Sequence, residues 1–172
     1  FILLTTIVTF TSGILLERTE DNLAKSLKAE GLAREDKKAL KEKAKTYKKR
    51  VVVLALLLVF GVLAVVKYHN FAIENVNGII KAFGGNGRIS TFTLPLPLGI
   101  SFYSFQSISY VIDVYRGKVK ACNNIFKYAL FVSYFPQITQ GPIGRYDRLA
   151  PQFFAEHKYD LVVIQHGLQR MA

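Results

Sequence analysis

The chain has 172 residues, of which 51% are hydrophobic, and its formal net charge is +11 at pH 7. The apolar residues cluster in long uncharged runs, and such runs are typical of membrane-spanning segments. The single cysteine, Cys122, excludes an internal disulfide and any zinc site built on several cysteines. The histidines His69, His157 and His166 are far apart and have no carboxylate at metal-ligand spacing, so the sequence predicts no metal site.

The first uncharged run covers residues 1–16. It is close to the lower limit of the roughly 17–25 residues that a spanning helix needs. The run begins at the first residue, which is not methionine, and the chain stops at Ala172 inside a sequence that is typical of a helix. We therefore expect an internal fragment of a longer protein, in which residues 1–16 form part of a transmembrane span.

Residues 17–50 are the most charged part of the chain, with twelve Lys/Arg against seven Asp/Glu. Apolar residues at helical offsets, such as Leu40 and Ala44, predict a weakly amphipathic helix that Gly31 should break. Nucleic-acid binding is disfavoured because aromatic stacking residues are nearly absent here and both flanks are apolar runs. We expect a basic cytoplasmic loop that obeys the positive-inside rule and lies near anionic lipid.

The second uncharged run extends naturally over residues 51–71. Near its end Lys67 can snorkel to the headgroups, and Tyr68 suits the aromatic belt of the membrane interface. The alternative is a buried helix of a soluble protein, but the basic residues at 48–50 directly before the run favour a span. We predict a transmembrane helix over residues 51–71.

Residues 72–93 contain only three charged side chains and predict a segment on the outer side of the membrane. Within it, the Gly-rich stretch at 83–88 lacks the lysine–hydroxyl ending of a phosphate loop, so we expect a turn. A later loop, 116–127, carries four Lys/Arg and no acid. The positive-inside rule therefore places it in the cytoplasm, on the same side as loop 17–50.

The segment 94–115 is long and apolar enough to cross a bilayer, yet it contains prolines, a glutamine, several hydroxyl side chains and an aspartate. Hydrocarbon offers no hydrogen-bond partner for such groups, so we expect this helix to face other helices or a polar cavity. Near its end, Asp113 and Arg116 are three residues apart, and we predict a structural pair close to the cytoplasmic surface.

A second unusual segment covers residues 126–145. The apolar stretch before Pro136 predicts a helix that enters the membrane, and Pro136 should end or kink it, while Gly141 and Pro142 prevent a simple continuation. Irregular backbone at membrane depth is tolerated only inside protein. One interpretation is therefore a broken, re-entrant segment whose residues from Pro136 to Gly144 are non-helical and packed within protein. The other is an ordinary helix that ends at Pro136 before an exterior loop.

Two ordered motifs resemble those of the membrane-bound O-acyltransferases, most of all the branch that contains the alginate O-acetylation proteins. The first is Pro97-Leu-Gly-Ile-Ser-Phe-Tyr-Ser-Phe-Gln and its continuation to Asp-Val-Tyr-Arg-Gly117, and the second is Phe135-Pro-Gln-Ile-Thr-Gln-Gly-Pro-Ile-Gly-Arg145. The segments 149–153 and 167–170 also match. The resemblance covers residues 51–172 well and implies an all-α, polytopic membrane protein with transmembrane and re-entrant or broken helices.

The resemblance implies an O-acyltransferase that moves an acyl group, with acetyl expected, to hydroxyls of an exported or cell-surface polysaccharide. It implies a central tunnel in which donor and acceptor meet from opposite sides. The catalytic histidine of the family would lie beyond residue 172, so the fragment alone is expected to be inactive.

The resemblance also implies co-substrates and partners. The acyl donor would be acetyl-CoA or an acyl-carrier thioester on the cytoplasmic side, and no cofactor is expected to be bound. The expected partners are membrane lipid and an extracytoplasmic protein that handles the acyl group or the polymer, without nucleic acid. The expected location is the plasma or inner membrane, with multiple passes.

The candidate residues for the substrate tunnel lie on both motifs: Ser101, Tyr103, Gln106, Gln137, Gln140 and Arg145. A second group is expected to shape the motifs: Pro97, Gly99, Asp113, Arg116, Pro136, Gly141 and Pro142. For each tunnel candidate, a hydrogen bond between helices is an open alternative to a substrate contact.

Other functions remain as alternatives at this point. Within the family, D-alanyl transfer to teichoic acid by a sister branch is the nearest one. Outside it, a membrane transporter or channel module also builds sites from broken helices with polar groups at membrane depth, although no segment of this chain repeats another. A noncatalytic membrane anchor would leave the prolines and glutamines of the two motifs unexplained.

Overall fold

The structure is a computed structural model that describes residues 1–28, 34–85, 87, 89–91, 97–139, 144–155 and 161–170. The regular secondary structure in these ranges is helical: α1 (Ile2–Lys28), α2 (Arg34–Ala82), α3 (Ile100–Tyr115), α4 (Ile125–Val132), α5 (Phe135–Thr139), α6 (Tyr146–Phe154) and α7 (Leu161–Gln169). Helices α1 and α2 are long and apolar enough to cross a membrane. The prediction of an all-α membrane protein is confirmed, since no strand occurs in the described ranges.

Helix α1 can carry a threonine-rich sequence in apolar surroundings because its hydroxyl groups bond to its own backbone. Thr9 donates to the carbonyl of Thr5 at 2.6 Å, and Ser12 donates to that of Val8 at 2.7 Å. These bonds satisfy the hydroxyls without leaving the helix. The face that carries Thr5, Thr9 and Gly13 is buried in the interior of the protein.

Helix α2 has 49 residues and is therefore about 74 Å long, more than twice the roughly 30 Å of a hydrocarbon core. The predicted span 51–71 lies inside it. The helix predicted within segment 17–50 is confirmed in its described part, because α1 continues to Lys28 and α2 begins at Arg34. The expected break at Gly31 lies outside the described residues. The charged residues of this segment extend both helices beyond their apolar runs, and the two helices pack as a hairpin. An ion pair between Glu20 and Lys48, with a distance of 2.9 Å, links them.

Helix α2 ends at a glycine turn, as the sequence predicted for residues 83–88. Gly84 has a φ of 78°, which favours glycine, and the N–H of Gly85 reaches back to the carbonyl of Ile80 at 2.9 Å. Asn86 and Arg88 lie outside the described residues. The turn ends the helix without any phosphate-loop geometry in the described part.

Helix α3 is shorter than the predicted span 94–115, since it begins at Ile100, directly after Gly99, and has 16 residues. The turn before it is closed by the N–H of Ile100, which donates to the carbonyl of Pro97 at 3.3 Å. Residues 92–96 lie outside the described part. The expectation that α3 turns its polar side inward is confirmed: Gln106 is 2% exposed, whereas Phe105 on the opposite side is 46% exposed.

The second motif is broken, but at a different place from the one predicted. Helix α4 ends at Val132, two residues before the proline-containing helix α5, which covers Phe135–Thr139. The expectation of non-helical backbone from Pro136 is therefore wrong for residues 136–139. Proline fits the first turn of a helix because the N–H that it lacks has no intrahelical partner there. Residues 140–143 lie outside the described part, and Gly144 is non-helical as predicted.

The core lies where α1, α2 and α3 pack together, with α4 on α1 and α3, α5 on α3, and α6 on α4. Aromatic rings join three of these helices, α3, α4 and α6. The ring of Tyr110 lies 4.6 Å from that of Tyr128 and 4.9 Å from that of Tyr146, and Phe131 meets Tyr146 edge-on at 5.0 Å. Such aromatic pairs stabilise beyond their buried area. The cluster holds the two motifs in one body.

Candidate functional site

Gln106 connects the two motifs. Its Nε2 donates to the backbone carbonyl of Phe131 at 3.0 Å and to Oε1 of Gln137 at 3.0 Å. The Phe131 carbonyl lies in the last turn of α4, where carbonyls lack partners within their own helix. One buried amide therefore ties the end of α4 and the start of α5 to the middle of α3. Both glutamines were predicted from the sequence as candidate tunnel residues, and the structure brings their side chains into contact.

Gly144 leaves the space that Gln137 occupies. A Cβ added at Gly144 would lie 2.5 Å from both Nε2 and Oε1 of Gln137, and it would also overlap Leu149. The backbone at Gly144 can therefore approach the amide of Gln137 this closely only because glycine has no side chain. This close approach fixes the amide of Gln137, and through it the bond to Gln106.

Three buried polar atoms on α3 have no hydrogen-bond partner among the described residues: the hydroxyls of Tyr103 and Ser107, and Oδ2 of Asp113. Together with Gln106 and Tyr110 they recur at three- and four-residue offsets, so they form one polar stripe along the inner face of α3. Buried polar groups normally have a partner, so an open stripe of this kind is suited to contact with groups that arrive from elsewhere.

The remaining candidates are placed less centrally. Ser101 is half-buried at the start of α3, and Arg145 is exposed at the residue that precedes α6. Gln140, Gly141 and Pro142 lie outside the described residues. The structure thus brings Gln106 and Gln137 together, places Tyr103 on the same inner face as Gln106, and leaves the guanidinium of Arg145 at the surface.

The predicted pair of Asp113 and Arg116 is wrong, because no ion pair joins them within 4.0 Å. Asp113 is 3% exposed and points inward, whereas Arg116 is exposed at the end of the helix. Gly117 terminates α3 with a φ of 69°, and the N–H of Lys118 donates to the backbone carbonyl of Asp113 at 2.9 Å. The chain turns away directly after Arg116, so spacing along an ideal helix is a poor guide here.

The sequence analysis missed the contribution of α1 to this region. The hydroxyl of Tyr128 donates to Oγ1 of Thr9 at 2.8 Å, and a Cβ added at Gly13 would lie 2.7 Å from the hydroxyl oxygen of Tyr110. The sequence does contain a pattern that indicates this contact, because small residues occur at every fourth position, at Thr5, Thr9 and Gly13. That spacing is typical of membrane helices that approach closely.

The described residues of this region can position groups through hydrogen bonds. No cluster of metal-ligating side chains occurs among the described residues, and His166 is exposed on α7. What the described residues offer is a rigid, water-poor arrangement of amide and hydroxyl groups.

We expect Gly144→Ala to break the contact between the motifs. The added methyl group would displace the amide of Gln137 or push Leu149 aside, and overpacking of this kind costs about 1–3 kcal/mol. The measurement is the thermal unfolding midpoint of the full-length protein in detergent. Gly167→Ala on α7 is the matched control, because nothing lies within 4 Å of its added Cβ. Equal midpoints for the two variants would contradict the packing described for Gly144.

The chain is similar to several curated proteins. The chain is 44% identical over 104 residues to "Probable alginate O-acetylase AlgI" of Pseudomonas aeruginosa, a match that covers 60% of this chain and 20% of that protein. It is 32% identical over 131 residues to "Peptidoglycan O-acetyltransferase" of Helicobacter pylori, covering 62% of this chain and 24% of that protein. It is 34% identical over 56 residues to "Teichoic acid D-alanyltransferase" of Lacticaseibacillus rhamnosus, covering 33% and 14%.

The chain spans about a fifth of the length of the alginate O-acetylases that it matches. No family model matches the chain, and no solved structure matches it. The relatives agree with the resemblance that the motifs carry, and the helical structure agrees with both. By its motifs and its relatives, the chain is similar to the membrane-bound O-acyltransferases, most of all to the proteins named as alginate O-acetylases.

Proposed function

We propose that the complete protein is a multi-pass enzyme of the plasma or inner membrane that transfers an acetyl group to hydroxyls of an exported or cell-surface polysaccharide. The observation that carries this proposal is the bond between Gln106 and Gln137, which joins the two motifs shared with the O-acyltransferases into one buried unit. The chain matches proteins named as O-acetylases over 104 residues, against 56 residues for the D-alanyltransferase. Acetyl is therefore favoured over D-alanyl.

The proposed reaction is an acyl transfer from a thioester, either acetyl-CoA or an acyl carrier. A sugar hydroxyl attacks the thioester carbonyl, the new C–O bond forms, the C–S bond breaks, and the thiol leaves with the proton that a general base removed from the hydroxyl. Hydrogen-bond donors stabilise the oxyanion that develops on the carbonyl oxygen. The base is expected to be a histidine outside these residues.

The residues of this chain are proposed to position the reactants. The buried bonds of Gln106 hold α3, α4 and α5 rigidly, and the open hydroxyls of Tyr103 and Ser107 lie on the same inner face. Exclusion of water from such a region protects the acyl group from hydrolysis. The exposed guanidinium of Arg145 is proposed to contact an anionic group of the donor or the polymer.

A gene deletion distinguishes this proposal from its alternatives. Loss of the complete protein should remove O-acetyl esters from a surface polysaccharide and leave D-alanyl esters of any teichoic acid at the wild-type level. Removal of D-alanyl esters alone would instead favour the sister branch. Unchanged ester content together with loss of uptake or export of a solute would favour a transporter.

We expect the charged part of the α1–α2 hairpin, residues 17–50, to lie in the cytoplasm and residues 72–93 to lie outside. The physical reason is the density of Lys/Arg in residues 17–50 against the few charges in 72–93. In full-length protein without other cysteines, a membrane-impermeant thiol reagent added to intact cells should label Ser90→Cys and leave Lys41→Cys unlabelled until the cells are opened. The reversed pattern would contradict this orientation and the cytoplasmic entry of the acyl donor.

A further inference from the structure

A groove between α1 and α2 changes from apolar to basic along its length. Its apolar part has a volume of about 410 Å³ and is walled mainly by aliphatic side chains, among them Leu15, Leu54 and Leu58. Tyr47 and Arg50 close one end of this part. Leu54 is 60% exposed and Leu15 is 41% exposed, so the groove is open along its outer side.

The hydroxyl groups in the apolar part do not make it polar. Oγ1 of Thr11 donates to the carbonyl of Ile7 at 2.8 Å, and Oγ of Ser12 donates to the carbonyl of Val8 at 2.7 Å. Both hydroxyls are therefore satisfied within α1. The wall offers a hydrocarbon chain apolar contact without an unpaired donor.

The basic part continues from Tyr47 toward the tip of the hairpin. Arg18 and Lys43 line the adjoining cavity, and Lys43 and Arg50 line a third cavity on α2, where Glu42 is the one acid among the described lining residues. No described carboxylate lies within 4.0 Å of these three cations, since the ion pair that the described residues form joins Glu20 and Lys48. The groove therefore presents three cations and one carboxylate, an excess of positive charge.

The change from apolar to basic coincides with the expected membrane surface. The uncharged run of α2 begins at Val51, directly after Arg50, and continues to Val66. An anionic headgroup beside Arg50 would thus lie at the depth of lipid phosphates, with its acyl chain parallel to α2.

We propose that this groove is a binding site for one anionic phospholipid. An acyl chain lies against Leu15, Leu54 and Leu58, and the phosphate lies among Arg18, Lys43 and Arg50. Along the groove, the apolar wall, the ring of Tyr47 and the cations follow one another in the direction that leads from the acyl chain of such a lipid to its phosphate. This site is separate from the Gln106–Gln137 unit and does not depend on the acyl-transfer proposal.

The test is a titration of the purified full-length protein with phosphatidylglycerol, followed by native mass spectrometry of retained lipid. Arg50→Gln and Lys43→Gln should each weaken the tightest phosphatidylglycerol site about fivefold, which corresponds to the interaction of one cation with anionic lipid. Lys49→Gln is the matched control, because Lys49 carries the same charge at the same depth and does not line the groove. Phosphatidylcholine should bind this site more weakly than phosphatidylglycerol.

A second pair of variants tests the apolar part. Leu54→Trp should block the site by filling the groove, whereas Leu57→Trp should not, because Leu57 is 69% exposed and does not line it. Equal effects of Arg50→Gln and Lys49→Gln would overturn the proposal. It would also be overturned if lipid still bound tightly to Leu54→Trp, since another segment of the longer protein would then occupy the groove.

Discussion

Replacement of Gln106 by alanine should sharply reduce acyl transfer by the full-length protein while the protein still inserts into the membrane. The substitution removes the donor that satisfies both the carbonyl of Phe131 and Oε1 of Gln137. A buried polar group left without a partner costs about 1–3 kcal/mol, and a shift of positioning groups by about 1 Å can lower the rate by roughly 10²-fold. The measurements are the rate of acetyl transfer in isolated membranes and the unfolding midpoint in detergent.

Two further variants separate hydrogen bonding from shape. Gln106→Glu keeps the size of the side chain but cannot donate to two carbonyl oxygens as the carboxylate, so we expect a loss similar to that of alanine. Gln165→Ala on α7 removes an exposed glutamine and should have no effect. Full activity of Gln106→Glu would show that the side chain only fills space.

A double-mutant cycle tests the contact itself. Because the amides of Gln106 and Gln137 are in direct contact, the effects of Gln106→Ala and Gln137→Ala on unfolding free energy should be non-additive by about 0.5–3 kcal/mol. Additive effects would contradict a bond between the two motifs.

Replacement of Gly13 by leucine should prevent α1 from packing on α3. A single Cβ at this position would already lie 2.7 Å from the hydroxyl oxygen and 2.9 Å from a ring carbon of Tyr110, which is fully buried and cannot move outward. Overpacking of a core costs about 1–3 kcal/mol and occasionally more, and the displaced ring would also lose its bond from the N–H of Cys122. We expect a large fall in the yield of folded full-length protein.

The matched control for this variant is Gly61→Leu on α2. Nothing lies within 4 Å of a Cβ added at Gly61, and leucine forms helix more readily than glycine. This variant should fold as well as the wild type. If both leucine variants eluted as monodisperse protein with equal unfolding midpoints, the close approach of α1 to α3 would be contradicted.

The sequence predicted the features of this chain that depend on local chemistry. The inward polar face of α3 followed from residues such as Gln106 that hydrocarbon cannot satisfy. The helical class followed from the long uncharged runs. All of these depend on residues that are near one another in the chain.

The features that the sequence did not predict depend on tertiary contacts or on helix ends. The contact between Gln106 and Gln137 joins residues that are 31 positions apart, and no pattern in one sequence identifies it. Pro136 was expected to break a helix and instead belongs to the first turn of one, because α4 had already ended at Val132.

The central claim is that the Gln106–Gln137 unit belongs to the site of O-acetyl transfer. Its most direct test is the O-acetyl content of the surface polysaccharide in a deletion strain complemented with full-length variants, measured by NMR before and after mild alkaline hydrolysis. We predict that the wild type and Gln165→Ala restore the acetyl esters and that Gln106→Ala restores far fewer at equal protein level in the membrane. Full restoration by Gln106→Ala, or unchanged acetyl esters in the deletion strain itself, would contradict the claim.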